Sequence, residues 1–333
     1  MTFESTSPRP LAALRRLIVS SLFCIVTSAV ATAAEPLVIS ASSTPVNLPI
    51  FVADAEGYFS AEGVAVKINE ITSSVQGMEQ LFAGKTDLTA GSETLVMFYS
   101  FKRDDFAVLT TFVTSTEDQK LVVHGASGIT SVKNLTNKRV GTIMGSASHF
   151  YLDTLALLNN VEPKSMTVVG YKADTIVAAL QKHEVDAIAM WQPQAYRAEK
   201  EVPGARTLPD GGFHTLSFNL VSTRKLIDTR SDDLRNVLRA LDRATRLIAA
   251  DPEKAVKILR SRLNVDQAYA QWLLSRYRYQ LTLDQSLLTS LESEARWARE
   301  EGHVKAARSP NYLRFVYSPL LRQVRPSAVG ISE

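Results

Sequence analysis

Gly145-Ser146-Ala147-Ser148-His149 is the stretch richest in chemistry. It follows the β-rich run Arg139 to Met144 and precedes apolar residues at Leu152, Leu155 and Leu158. A strand that turns through small residues into a helix start leaves backbone N–H groups unpaired at the positive helix end, and the Ser146 and Ser148 hydroxyls add donors there. That is an anion site. Read alone, the same residues also make a plain helix cap, with a serine oxygen accepting from first-turn amides. Gly145 does not complete a phosphate loop, because no Gly-Lys-Ser/Thr follows.

Three other stretches have related punctuation. Pro49-Ile50-Phe51-Val52-Ala53 runs to Gly57-Tyr58-Phe59, a helix expected to end at Gly57 with the two aromatics packing down before the next strand. Gly84-Lys85-Thr86-Asp87 leads through Gly91 to Ser92-Glu93-Thr94, a strand entering a helix with Ser92 or Thr94 as cap. Val185 to Pro193 ends a strand with Trp191 and Gln192 at its carboxyl edge. Ligands of open α/β sheets bind beyond the carboxyl ends of strands, so these turns are expected around one cleft. No catalytic set accompanies them. Ser148 and His149 are merely adjacent, no Gly-x-Ser-x-Gly elbow occurs, and His124, His183, His214 and His303 lack metal-ligand spacing. Neither a metal nor a cofactor is expected.

The elements that must position these residues fall into two textures. From Leu37 to about Thr223, strand candidates (Leu37 to Ile39, Val64 to Ile68, Phe106 to Phe112, Leu121 to Val123, Arg139 to Met144, Met166 to Gly170, Val185 to Trp191) alternate with helical patterns. This predicts parallel α/β layers. From about Ser231 the pattern is nearly all helical, with Leu288, Leu291, Ala295 and Ala298 on one face behind the cap candidate Asp284.

The chain has 333 residues, 45% hydrophobic and 21% charged, with net charge +3. That excludes disordered, collagenous and polytopic membrane classes. Arg9, Arg15 and Arg16 precede the uncharged, mostly apolar Leu17 to Val30, and Ala31-Thr32-Ala33 supplies small residues at signal-peptidase spacing. Residues 1–33 read as a signal peptide, cleaved after Ala33 or Ala34, of a protein exported to the periplasm. Beyond residue 34 there are 34 basic and 33 acidic side chains, net +1, and no basic-aromatic patch, so nucleic acid is not an expected partner. The remaining charge is uneven: Glu35 to Glu253 carries 21 basic and 26 acidic residues, and Lys254 to Glu333 carries 13 and 7. The basic tail reads as a solvated surface or as a docking face for an acidic partner. Cys24 is the only cysteine, so the mature chain has no thiol chemistry.

Taken together, Pro49 to Phe59, Gly84 to Asp87, Gly145 to His149 and Asp186 to Pro193 resemble the substrate-binding proteins of sulfonate, taurine and nitrate ABC importers, over roughly residues 36–225. The resemblance implies a type II periplasmic binding protein: two α/β lobes joined by a two-strand hinge, with a helical C-terminal tail. Lobe 1 would comprise 34–124 and 216–333, lobe 2 125–215, with crossings near His124-Gly125 and Leu216 to Val221. It implies an anionic head held by Ser43, Thr44, Ser92, Glu93, Thr94, Ser146, Ala147, Ser148 and His149, the organic part against Trp191, and selectivity set by Gln192 and Asn219. Asn219 stands where taurine binders use a carboxylate, which disfavours a zwitterion. Glu93 would repel an anion unless it points away or meets a cationic group.

The expected protein is a monomeric, non-enzymatic binder. It captures a small organosulfonate or related anion and delivers it to an inner-membrane ABC permease. The alternatives are a thiamine-precursor pyrimidine or other cationic heteroaromatic solute, stacked on Trp191 and paired with Glu93, or a solute-sensing module for a receptor. The thiamine-pyrimidine synthase branch of the same superfamily relies on a cysteine-rich motif absent here.

Overall fold

Each strand candidate between Leu37 and Trp191 forms, and the strands sort into two sheets. The computed structural model describes residues 1–6 and 35–332. The chain divides into two compact units, 1–34 and 35–333. In the first, residues 1–6 are exposed without regular structure, and the core of the expected export signal lies outside the described residues.

The second unit holds β1 (Leu37–Ser42), β2 (Val66–Ile71), β3 (Leu88–Ser92), β4 (Phe106–Ser115), β5 (Gln119–Val123) and β6 (Arg139–Thr142). After these come β7 (Thr167–Gly170), β8 (Ala187–Trp191), β9 (Arg206–Thr207), β10 (Leu216–Thr223) and β11 (Arg278–Thr282). The first sheet has the order β11-β4-β10-β3-β1-β2 and the second β7-β6-β8-β5-β9. Pairing is parallel among β2, β1 and β3 and among β7, β6 and β8, and antiparallel where β10 and β5 join.

In the second sheet successive residues face opposite cores, as the pleat requires. Leu121, Val123, Ala187 and Ala189 pack with Leu152 and Leu155 on one side. Val122, Ile188 and Met190 pack with Ile176 and Leu180 on the other. Burial on both faces explains why these strands read as continuous apolar runs.

One expectation is corrected. Gln119–Val123 pairs with β8, from Gln119 opposite Trp191 to Val123 opposite Ala187, so the first crossing is the segment 116–118 and not His124-Gly125. The chain re-enters the first sheet at Leu216. The stretch beyond Ser231 is nearly all helical, as expected, with one strand, β11, adding to β4 at the sheet edge after buried Tyr277 and before buried Leu283.

The C-terminal helices belong to the first lobe. Leu234, Val237, Leu238 and Leu241 of helix Ser231–Ala250 share one core with Leu37, Ile39 and Phe51. The basic tail meets acidic partners within this lobe: Lys254 pairs with Glu56 at 3.1 Å, and Arg262 with Asp54 at 2.9 Å and Glu70 at 3.2 Å.

Helix Ser74–Phe82 lies unusually close to the first sheet. A Cβ on Gly77 would fall 2.1 Å from Thr89 Oγ1 and 2.9 Å from Ile71 Cδ1. Gly77→Ala is expected to destabilise by about 1–3 kcal/mol through overpacking, read as a lower midpoint in chemical denaturation. An unchanged midpoint would mean that the helix does not depend on this approach.

Candidate functional site

The carboxyl ends of six parallel strands converge on one cleft of about 1440 Å³, represented in its lining by Ser42, Ile71, Ser92, Ile143, Tyr171 and Trp191. A helix begins close after several of these ends. Helices Ser74–Phe82, Glu93–Ser100 and Ala147–Leu158 all start at the cleft wall, where Ser73, Ser74, Ser92, Ser146 and Ala147 are lining residues. First-turn N–H groups have no intrahelical partner, so three positive helix ends open on the same space.

The caps are used unequally. Ser73 accepts from Gln76 N–H at 3.4 Å. Ser146 accepts from Ser148 N–H at 3.2 Å and donates to the Ile143 carbonyl at 2.7 Å, so it performs the capping role that its sequence equally allowed. Ser92 occupies the N-cap position without a side-chain cap bond. Ser43 and Thr44, after β1, complete this side of the wall.

The opposite corner is aromatic. Half-buried Trp191 lies across the strand pair from Gln119. Gln192 is buried, and its Oε1 accepts from Tyr269 hydroxyl at 2.5 Å and Tyr196 N–H at 3.2 Å. Tyr196 stacks on Tyr269 with ring centroids 3.6 Å apart and donates to Asp266 at 2.6 Å.

Of the expected binding residues, Ser43, Thr44, Ser92, Ser146, Ala147, Trp191 and Gln192 line the cleft; Glu93, Thr94, Ser148, His149 and Asn219 do not. Ser148 turns back to donate to Gln119 Oε1 at 2.5 Å. Asn219 sits in β10, accepting from Thr111 hydroxyl at 2.6 Å. Thr94 donates to Glu294 at 3.1 Å, and Glu93 accepts from Ser217 N–H at 2.8 Å. Glu93 therefore neither repels an anion in the cleft nor pairs with a cationic ligand there. Asp118, Gln119, Ser73, Ser74 and Tyr196 are lining residues that the sequence reading missed. The available signal was Glu117-Asp118-Gln119, a polar run between two apolar strands.

Distant histidines also come together. Ligand atoms of His149, Asp153 and His303 lie within 4.8 Å of one another, although their sequence spacing suggested no such group. Gly145 N–H donates to His149 Nδ1 at 3.3 Å, so the neutral ring carries its proton on Nε2, 3.7 Å from Asp153 Oδ2. That oxygen also accepts from Trp297 Nε1 at 2.9 Å. A cation on Nε2 would require moving the proton to the nitrogen that Gly145 occupies, so the group is an interlobe contact.

A family model described as NMT1/THI5 like matches residues 44–255. The chain belongs to the NMT1/THI5-like family. A Bacillus subtilis (strain 168) protein named as an aliphatic sulfonates-binding protein is 25% identical over 203 residues, covering 59% of this chain and 60% of that protein's length. The 4-amino-5-hydroxymethyl-2-methylpyrimidine phosphate synthase THI12 of Saccharomyces cerevisiae is 26% identical over 253 residues, covering 69% and 72%. Among solved structures, the periplasmic aliphatic sulphonate binding protein SsuA of Escherichia coli aligns with a TM-score of 0.74 at 18% identity, over 86% of this chain and 92% of that one. The NMT1/THI5-like chain thus has the two-lobed periplasmic-binding-protein fold.

Behind the wall of this NMT1/THI5-like cleft lies a buried acid pair. Glu93 and Glu294 are 0% and 1% exposed, and the charge of Glu93 acts on Glu294. Glu93 Oε1 and Glu294 Oε2 have no hydrogen-bond partner, which favours the protonated, uncharged form of these buried carboxyls. Burial raises Glu93 to about 7 and Glu294 well above the carboxylate range. His214 Nε2 lies 3.8 Å from Glu93, and burial lowers that imidazole to about 4.

A carboxyl with a raised folded-state pKa contributes stability below its unfolded value, and that contribution is lost as pH rises towards about 7. The buried imidazoles His149 and His214, lowered to about 4, act oppositely as pH falls. The informative quantity is therefore a difference. The unfolding free energy of Glu93→Gln minus that of the parent should rise from pH 4.5 to 7 and then level, on the order of 3 kcal/mol in total. Parallel pH profiles for the two proteins would contradict a Glu93 carboxyl raised by burial.

Proposed function

We propose that this chain is a solute-capture protein of an ABC importer whose cleft takes a small organosulfonate or related anion. The observation that carries the reading is the opening of three helix N-termini onto one cleft whose wall has no buried cation. Ser43, Thr44, Ser92 and the Ala147 amide meet the anionic head, with Ser146 fixing the turn, and Trp191 and Gln192 meet the organic part. The names of the Bacillus and Escherichia relatives support the same solute class. Capture proceeds by closure of two lobes, stabilised only as far as the closed form makes better ligand contacts. The protein works as a monomer in the periplasm after export and hands its solute to an inner-membrane permease, with no catalytic step.

Thermal midpoints with ethanesulfonate, nitrate and 4-amino-5-hydroxymethyl-2-methylpyrimidine test this, since binding to the folded state alone raises the midpoint. Ethanesulfonate should raise it. Ser92→Ala should weaken sulfonate binding about tenfold, the scale of one hydrogen bond to a charged group. Its unliganded midpoint should stay within about 2 °C, because the hydroxyl makes no cap bond. A response to the pyrimidine alone would overturn the assignment.

A further inference from the structure

Asp118 is the one buried charged side chain among the residues lining the cleft. It is 3% exposed, whereas every other charged residue of the wall is exposed. It occupies the first crossing between lobes and is held from both sides. Tyr277 hydroxyl of the first lobe donates to Oδ1 at 2.6 Å, and Gln119 Nε2 donates to Oδ2 at 2.8 Å. A carboxylate offers about four acceptor positions, so two remain after these bonds.

Among the described residues no cation forms an ion pair with this carboxylate. The neighbouring Lys120 is committed to Glu117 and Asp210, each at 3.0 Å. Burial raises Asp118 to about 7, against the lowering effect of the Tyr277 and Gln119 hydrogen bonds and of the nearby Lys120 charge, and a buried charge without an ion-pair partner is costly unless a partner arrives. Trp191 stands in the same corner. Gln119 is its partner across the strands, and Gln192 N–H donates to the Asp118 carbonyl at 3.0 Å. An indole face attracts cations as a carboxylate does.

We infer that the cleft selects an amphoteric solute, whose protonated nitrogen is received by Asp118 beside Trp191 while its anionic group occupies the helix ends. This deepens the anion-capture reading and rests on it for the anionic half. It also reverses the expectation drawn from Asn219: the carboxylate for a ligand amine is present, but it comes from the crossing segment.

The test is calorimetric titration of the full chain, at neutral pH, with 3-aminopropane-1-sulfonate, its near-isostere butane-1-sulfonate, and butan-1-amine. The aminosulfonate should bind at least about tenfold more tightly than the butanesulfonate, the scale expected of a charge-assisted hydrogen bond. Asp118→Asn should erase that preference while leaving butanesulfonate affinity within about threefold, since the amide can still accept from Tyr277. The wild-type comparison stands even if the variant does not fold. Equal binding of the two sulfonates, or a preference that survives Asp118→Asn, overturns the amphoteric assignment and leaves anion capture intact. Binding of butan-1-amine alone, abolished by Asp118→Asn, overturns anion capture and keeps the cation role of Asp118. Binding of none of the three overturns both.

Discussion

The direction of the parallel strands is the constraint on which the rest depends. In β2-β1-β3 and β7-β6-β8 every strand points its carboxyl end at the cleft, so the helices that follow begin there. Helix polarity is then not a free choice: the positive ends of Ser74–Phe82, Glu93–Ser100 and Ala147–Leu158 face the same space. An anion can be held this way without a buried lysine or arginine: Lys172, Arg197 and Lys200 of the wall are all exposed. Close packing preserves the geometry, with Gly77 admitting its helix against Thr89.

The turns at the cleft were legible because each is a local pattern: small residues after a β-rich run, then apolar residues at helical spacing. Which neighbour faces the ligand was not. Each helical step rotates a side chain by about 100°, so Ser146 and Ala147 line the cleft while Ser148 and His149 turn into the protein. The same step separates Ser92 from Glu93 and Thr94. Asp118 and β11 were missed for a different reason. Their roles depend on Tyr277 and β4, which are remote in sequence, and a short alternating stretch amid helices carries little periodic signal.

The charge asymmetry along the chain has an internal explanation. The basic C-terminal part folds over the acidic N-terminal part, so Lys254 and Arg262 meet Glu56, Asp54 and Glu70, and the Arg262 guanidinium also lies 5.0 Å from the Phe51 ring. Exposed pairs of this kind contribute little each. The larger stabilisation comes from the apolar core that the tail shares with β1 and helix Leu48–Ala55. An excess of one charge sign over a segment therefore marks a partner here, and the partner is the other segment of the same lobe.

The two lobes also meet through contacts that involve no solute. Trp297 of the first lobe reaches across to Asp153 and packs against Phe150, and Tyr196 of the second lobe stacks on Tyr269 of the first. Such contacts are the same whatever solute enters, so they cannot discriminate between ligands. Discrimination must come from groups whose satisfaction depends on what enters, because a buried polar group left without its partner penalises the wrong solute more than a matched one rewards the right solute. In this wall the uncapped Ser92 and the unpaired Asp118 have that character. Ser146 and Gln192, already hydrogen-bonded within the protein, hold the shape against which solutes are compared.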